Sequence, residues 1–423
     1  MAASAYARPG YSWFVLFILT LAYAAHSMDR AMPNILIEPV RAEFHLKDSQ
    51  LGLFAGAYFG LGFVFAVLPM GYLADRINRR TLLSVIMVVW SACTALGGFT
   101  RSFGTLLLTR GAVGVAESGA SPIILPLITD IFPKHRRSFA MGLLYVGVPF
   151  GGILAAGAGG LIAAAYGWRM ALMLAGIPGL FLAVLVMIFV REPGRGASDE
   201  TPEQKPAPLP EVLKFLVSQP AILCIMGAGV LIGWISITIG SWASSYYIRV
   251  HHLKLSEVAV IQSLALGGCG LLAPPLFGWI ADRVSGRSPI LPLIITAIAG
   301  AVSFMFGQAW LFGTVLPLIV VCQVLGEFFR QGYPPLLYPV VLGRTPPHMR
   351  GVVMSVIQGT TNLIGFTFGP AVLGELSDAL GGGTAIRTAM AYGFGMYGVI
   401  ITLLIAASLL LRRPNTVAPA AAG

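Results

Sequence analysis

The chain alternates between apolar stretches of about 20 residues or more and short polar clusters rich in Arg, Lys, Asp, Pro and Gly. A helix of about 20 apolar residues crosses the hydrocarbon of a bilayer. Lipid offers the backbone no hydrogen-bond partners, so a crossing segment must satisfy its own amides, as a helix does. The pattern predicts twelve spanning helices, at 12–37, 49–74, 81–100, 104–130, 137–164, 168–190, 217–247, 257–281, 289–308, 311–339, 350–375 and 385–411. The first apolar stretch, Trp13 to Ala25 after Arg8, has features of a signal peptide, with Ala22-Tyr23-Ala24 at a cleavage-like place. Its helical pattern runs on to Ile37, which is long enough to span, so it is read as the first span.

Composition agrees with a membrane chain: of 423 residues, 57% are hydrophobic and 10% charged, against about 25% charged in soluble domains. The net charge of +10 lies in short clusters between apolar stretches. It is therefore read as a topology signal rather than a nucleic-acid footprint. One set of alternate loops carries 17 Lys and Arg and the other set 7, which places both termini and the central linker in the cytoplasm of a plasma (inner) membrane protein. Cys93, Cys224, Cys269 and Cys322 stand singly in apolar runs, so they read as small buried hydrophobes and not as disulfide or metal ligands.

Arg191 to Lys214 holds five prolines among charged residues and reads as a solvated linker. The expected organisation is a six-helix bundle at 1–190, a cytoplasmic linker at 191–216 and a second six-helix bundle at 217–423. The halves echo each other. Gly71-Tyr-Leu-Ala-Asp75-Arg76 recurs as Gly278-Trp-Ile-Ala-Asp282-Arg283, 207 residues on, and Pro133-Lys-His135-Arg-Arg137 as Pro346-Pro-His348-Met-Arg350, 213 residues on. Such duplication is a known plan of membrane transporters.

Gly71-x-x-x-Asp75-Arg76-x-x-Arg79-Arg80 resembles the loop signature of the major facilitator superfamily. That resemblance implies an all-α fold of twelve helices in two pseudo-symmetric bundles. It also implies a conformational latch formed by Gly71, Asp75, Arg76, Arg79 and Arg80, with Gly278, Asp282 and Arg283 in the second copy. Within the superfamily the first half resembles the spinster-like group. The residues that carry this are Met28-Asp29-Arg30, Ile37-Glu38-Pro39-Val40, Leu46-Lys-Asp-Ser-Gln50-Leu-Gly52 and Arg110-Gly-Ala-Val-Gly114-Val-Ala-Glu117-Ser-Gly119-Ala-Ser-Pro122. The group usually has Gly-Glu-Ala where this chain has Ala116-Glu117-Ser118. In animals the group is associated with export of sphingolipids and lysophospholipids. An organic-anion symporter group of the same superfamily shares the Asp-Arg pair and the Arg-to-Glu spacing, so both substrate classes stay open.

Asp29, Arg30, Arg110, Glu117, Glu327 and Arg330 fall inside predicted spans. Each costs about 2.5–3.5 kcal/mol at the centre of a lone helix, so each is expected to face a cavity or a partner. Arg110 and Glu117 are two turns apart on one helix face with Gly114 between them. A guanidinium fork suits carboxylate or phosphate. Arg30 and Arg110 are therefore candidate head-group ligands, joined by Glu327, Arg330 and Tyr333 in the tenth span. The competing reading is structural, pairing Asp29 with Arg110 or Arg30 with Glu117, and Glu327 with Arg330, three apart on one helix face. Asp29 and Glu117 are candidate proton-coupling groups, with His26 one turn before Arg30. Gly326 and Gly332-Tyr333-Pro334-Pro335 predict a broken tenth helix. Trp242, Tyr246 and Tyr247 are expected in an interfacial aromatic belt, and secondarily as a pocket wall.

There is no Gly-x-x-x-x-Gly-Lys-Ser/Thr loop, no Gly-x-Ser-x-Gly and no His-Glu-x-x-His, and the sequence indicates no enzyme and no cofactor. The expected function is proton-coupled transport of an anionic amphipathic solute, such as a lysolipid or sphingoid phosphate, by a monomer using alternating access. The rival is proton-coupled symport of a small hydrophilic organic anion. Asn362, Gln358 and Gln323 are the only amides expected deep in the second half, which favours the amphipathic substrate.

Overall fold

The computed structural model describes residues 9–193, 207–285 and 288–412, and among these it is helical with no strand. Among the described residues eleven helices are long and apolar enough to cross a membrane. They are α1 (Gly10–Phe44), α2 (Asp48–Ala74), α3 (Arg79–Gly97), α4 (Phe103–Ile131), α5 (Phe139–Tyr166), α6 (Trp168–Phe189), α7 (Pro220–His251), α8 (Leu255–Val284), α9 (Leu291–Phe312), α11 (Arg350–Ala379) and α12 (Gly383–Arg412). Between α9 and α11 the remaining apolar block, α10, forms two pieces, Leu316–Arg330 and Tyr333–Arg344. Helix starts are capped where sequence permits: the Asn78 and Ser102 side chains accept from the amides of Thr81 and Thr105.

The break predicted in α10 falls at Gln331 and Gly332, and α4 is interrupted in the same manner after Glu117, at Ser118 and Gly119. Glu117 and Arg330 each end the first piece of a broken helix. They stand 213 residues apart, the spacing at which the Pro133 and Pro346 motifs repeat. Three further distortions are single π-helical turns, at Leu53–Ala57 in α2, Ala155–Gly159 in α5 and Leu363–Phe368 in α11. Such turns are rare and cluster at functional places.

The chain divides into two compact units. The first holds residues 1–203, Trp234–Leu271 and Asn362–Gly393. Its core is aliphatic and aromatic, with Val15, Leu19, Leu83, Met87, Trp90 and Ile124 fully buried. Two close approaches set its geometry. A Cβ on Gly114 of α4 would fall 2.1 Å from the carbonyl oxygen of Phe59 in α2. A Cβ on Gly56, in the π turn of α2, would fall 2.0 Å from the carbonyl oxygen of Phe366, in the π turn of α11. The second unit holds Gln204–Gly233, Leu272–Thr361 and Phe394–Gly423, with Ala273, Phe277, Ala281, Ala299 and Leu336 at its core. Of the expected linker, residues 194–206 lie outside the described residues, and Leu209–Ser218 is a helix.

Within the first unit an ionic network ties α1, α2, α7 and α11. Arg249 of α7 donates to Glu38 (Nε to Oε1, 2.8 Å) and to Asp48 (Nη1 to Oδ2, 2.8 Å). Ser377 Oγ donates to the same Asp48 oxygen at 2.6 Å. The Asp378 carboxylate accepts from the amides of Asp48 and Ser49, at 3.0 and 2.8 Å, and so caps the N-terminus of α2, where the dipole favours an anion. The aromatic belt expected at Trp242, Tyr246 and Tyr247 is not what forms, because all three are fully buried. Their polar tips find partners inside the protein: Trp242 Nε1 donates to Pro370 O at 3.1 Å, and the Tyr246 hydroxyl lies 2.8 Å from His251 Nε2.

Two stability changes are expected. Arg249→Met leaves Asp48, 1% exposed, with only the more distant Arg41 guanidinium at 4.0 Å, and loss of one partner of a buried pair costs about 3–5 kcal/mol. Thermal unfolding in detergent should show a clearly lower midpoint than the parent. Gly114→Val drives a side chain into the Phe59 backbone, and overpacking of this kind costs about 1–3 kcal/mol. The same unfolding assay should register it, while Gly142→Ala, whose Cβ meets nothing within 4 Å, should leave the midpoint in place.

Candidate functional site

The second half of α1 brings His26, Asp29 and Arg30 onto neighbouring turns, and the first piece of α4 presents Arg110 and Glu117 two turns apart. The Gly114–Phe59 contact draws α4 against α2 at the same level, so α1, α2 and α4 converge on these charges. Arg30 donates from Nε to Glu117 Oε2 at 3.2 Å, and His26 Nε2 lies 3.5 Å from that same oxygen. Arg110 Nη2 donates to the main-chain carbonyl of Asp29 at 3.4 Å and not to its carboxylate. Asp29 is turned toward Thr94 of α3, with Arg110 and Glu117 as its charged neighbours. His26, Asp29, Arg110 and Glu117 are 0–3% exposed, while the Arg30 side chain is 17% exposed.

Aromatic rings surround the cations. The Arg30 guanidinium lies 5.1, 4.8 and 5.4 Å from the ring centres of Phe59, Phe63 and Phe366. Arg110 lies 5.5 Å from that of Phe59. Ring faces attract a cation, more strongly out of water, so the rings hold the guanidinium while leaving its hydrogen-bond donors to other groups. His26 stacks on Tyr23 at 5.4 Å and meets the edge of Trp90 at 6.0 Å. Asp29 Oδ1, Glu117 Oε1 and Arg110 Nε and Nη1 have no hydrogen-bond partner among the described residues. A buried polar atom left so costs about 1–3 kcal/mol, a cost that a polar ligand reaching them would remove.

The charges of the tenth span lie in the second unit. Glu327 and Arg330 form an ion pair on one face of α10, and both are buried. Ser303 Oγ of α9 donates to the Gly326 carbonyl at 2.9 Å and receives the Tyr397 hydroxyl of α12 at 3.0 Å, which braces the turn that carries Glu327. Tyr333 opens the second piece of α10, with its ring 6.1 Å from that of Tyr338.

The residues of the expected latch are placed unevenly. Arg79 is buried and bridges Asp130 and Glu192, each at 2.7 Å. The Arg80 amide donates to Glu192 at 3.2 Å. Arg76 stacks on Tyr72 at 4.0 Å, and Arg283 on Trp279 at 3.7 Å. Asp282 is exposed, and a Cβ on Gly71 would meet nothing, whereas one on Gly278 would touch Pro335. The side chain of Asp75 lies outside the described residues.

Sequence reasoning missed the three phenyl rings around Arg30, which no local pattern separates from the other phenylalanines. It also counted Arg249, Asp48 and Glu38 as loop or span-end residues. Only Asp48 and Glu38 carried a signal, since they lie in the segments that resemble the spinster-like group. A cavity of about 380 Å³ is lined by Glu38, Arg41, Ala42, His45 and Leu46, further along α1 from the cluster at His26 to Arg30.

Comparison with known proteins agrees with this architecture. The sequence profile of the Major Facilitator Superfamily matches residues 19–313. An MFS-type efflux pump of Mycolicibacterium smegmatis is 26% identical over 389 residues, covering 88% of this chain and 86% of the pump. The sphingosine-1-phosphate transporter SPNS2 of Danio rerio is 26% identical over 387 residues, covering 86% of this chain and 75% of that protein. The crystal structure of a bacterial homologue of the human lysosomal transporter Spinster, inward-facing and unoccupied, superposes with a TM-score of 0.79 at 23% identity over 95% of this chain and 96% of that one. With its helical spans, its duplicated motifs and this match over most of its length, the chain belongs to the Major Facilitator Superfamily as an integral membrane transporter that resembles the spinster-like group.

Proposed function

We propose that this transporter moves an anionic amphipathic solute, one acyl or sphingoid chain with a phosphate or carboxylate head, together with protons. The observation that carries the reading is the pairing of opposites at one place. Among the described residues Arg110 keeps donors without partners, and Arg30 sits among three phenyl rings beside Glu117. Guanidinium groups bind the head, and apolar rings receive the first methylenes of the chain.

Coupling follows from charge balance. With Glu117 ionised, Arg30 is neutralised by it. A proton on Glu117 ends that pairing and leaves the site one charge more positive, so the anion is then bound by Arg30 and Arg110 together. Proton and anion thus load the same state, which is symport. Asp29 and His26 flank the carboxylate and serve the proton's path. In the second half Glu327, Arg330 and Tyr333 complete the contacts to the solute. The two bundles, 1–190 and 217–423, rock about the site, latched through the Asp75 and Asp282 motifs. The protein acts as a monomer of the plasma (inner) membrane with both termini cytoplasmic.

Proteoliposomes with an imposed pH gradient test this. Uptake of a labelled lysophosphatidate is expected to be driven by external acid. Glu117→Gln is expected to keep exchange of the anion and to lose the response to the gradient. Uptake of glucuronate with no uptake of the amphiphile would transfer the assignment to the small hydrophilic anion. A Glu117→Gln protein that still follows the gradient would remove Glu117 from the proton path.

A further inference from the structure

Polar side chains recur along one face of α1. His26, Arg30, Asn34 and Glu38 follow one another at intervals of four, and Arg41 and His45 continue the row. This spacing sets side chains one above the other on a helix. His26 is buried, Arg30, Asn34, Glu38 and Arg41 are partly accessible, and His45 is exposed, whereas Ile35, Leu36 and Ile37 on the other faces are buried. The row joins two places already described. At one end Arg30 and His26 meet Glu117. At the other lies the cavity of about 380 Å³ lined by Glu38, Arg41, Ala42, His45 and Leu46.

Asn34 stands between them, four residues from Arg30 and four from Glu38, about 6 Å of helix rise each way. One or two waters, at about 2.8 Å per hydrogen bond, span that interval. The Oδ1 atom of Asn34 is buried and has no hydrogen-bond partner among the described residues, and the same holds for Glu117 Oε1. Buried polar atoms are hydrogen-bonded to protein or to ordered water. Had Asn34 served only to hold α1 against a neighbour, its oxygen would accept from that neighbour. The backbone adds a further acceptor. Pro33 and Pro39 lie inside α1, and a proline leaves the carbonyl four residues before it without its helical donor. The first of these carbonyls, Asp29 O, is taken by Arg110 at 3.4 Å. The second is Ile35 O, next to Asn34 and directed along the helix toward the turn of Glu38.

We propose that Asn34 is a positioning residue of the proton's route, holding a chain of water between the outer cavity and Glu117. The proposal rests on proton coupling at Glu117 and on cytoplasmic termini, which put the Phe44 end of α1 outside. At the outer end Glu38 faces Arg249 of α7 and Arg41 of α1, both of which also contact Asp48 of α2, and His45 shares the cavity wall. At the inner end Glu117 faces His26 and Arg30 of α1, with Asp29 and Arg110 as charged neighbours. A hydronium in the cavity passes a proton to the next water, and each water forms one O–H bond as it gives up another. The last transfer makes the Glu117 carboxylate a carboxylic acid and leaves a neutral water. An amide suits the midpoint because it accepts and donates hydrogen bonds without fixing a charge beside Arg30.

Proteoliposomes holding the full chain test the route, with labelled lysophosphatidate as the probe. Asn34→Leu keeps a side chain of similar size and removes both hydrogen-bonding groups. It is expected to lower uptake driven by external acid several-fold, while exchange of the anion at equal pH on both sides stays close to the parent. Asn34→Ser, with a hydroxyl and room for water, is expected to retain both. An Asn34→Leu protein that follows the gradient like the parent overturns this proposal alone, because coupling at Glu117 then stands. Exchange that falls in step with uptake overturns it too, since Asn34 would then serve the solute or the fold. A parent protein that ignores the gradient removes the coupling itself and the proposal with it. If Asn34→Leu does not fold, Ala42→Phe, at an exposed place on the cavity wall, gives the second reading. Filling the cavity there is expected to lower gradient-driven uptake more than exchange, and an equal effect on the two overturns the proposal.

Discussion

Lipid hydrocarbon neither solvates a charge nor accepts a hydrogen bond, so every ionised side chain below the surface must be answered by another protein group or by a ligand. The rest of the structure can be derived from that constraint. It explains why Arg30, Glu117 and His26 share one carboxylate oxygen, and why Glu327 and Arg330 pair on a single helix face. It also explains why Arg249 is surrounded by Glu38 and Asp48 instead of lying loose at a helix end. Among the described residues the answer is incomplete at Arg110 and at one oxygen each of Asp29 and Glu117.

The two broken helices give the duplication a structural meaning. Glu117 and Arg330 occupy equivalent places, each ending a helix piece ahead of a two-residue turn, yet they carry opposite charge. Glu117 is answered across helices, by α1, and Arg330 within its own helix, by a glutamate. One template has been used for an ion pair between helices and for a local pair within a single helix. Glycine controls the first of these, because the contacts of Gly114 with Phe59 and of Gly56 with Phe366 bring α2, α4 and α11 close enough for the phenyl rings to enclose Arg30.

Much of this was legible because the membrane filters sequence severely. Six charges within apolar blocks stand out against any background, and the Asp75 and Asp282 motifs mark the superfamily. The break in α10 is visible from Gly332 and the paired prolines after it, whereas the matching break in α4 carries a weaker signal, Ser118 and Gly119 with the single Pro122 three residues on. Pairing was legible in part: Arg30 with Glu117 and Glu327 with Arg330 were among the pairs the sequence offered and both form, whereas Arg110 meets the main-chain carbonyl of Asp29 and not its carboxylate, a choice set by helix rotations that no single helix encodes. The aromatic belt expected at Trp242, Tyr246 and Tyr247 failed for a related reason. An aromatic ring with a polar tip suits an interface equally to a buried position with a partner, and Pro370 and His251 supply that partner here. The Leu209–Ser218 helix was hidden by its prolines, which break a helix interior but fit its first turn.

The central claim is that Arg30 and Arg110 of the first half bind the head group of the solute. Equilibrium binding of a radiolabelled lysophosphatidate to purified protein, parent against Arg110→Lys, tests it most directly. Lysine keeps the charge and loses the fork, and a charge-assisted hydrogen bond contributes about 1.5–3 kcal/mol, so affinity should fall by about tenfold or more while thermal unfolding of the ligand-free protein stays close to the parent. Unchanged affinity in a folded Arg110→Lys protein would contradict the claim.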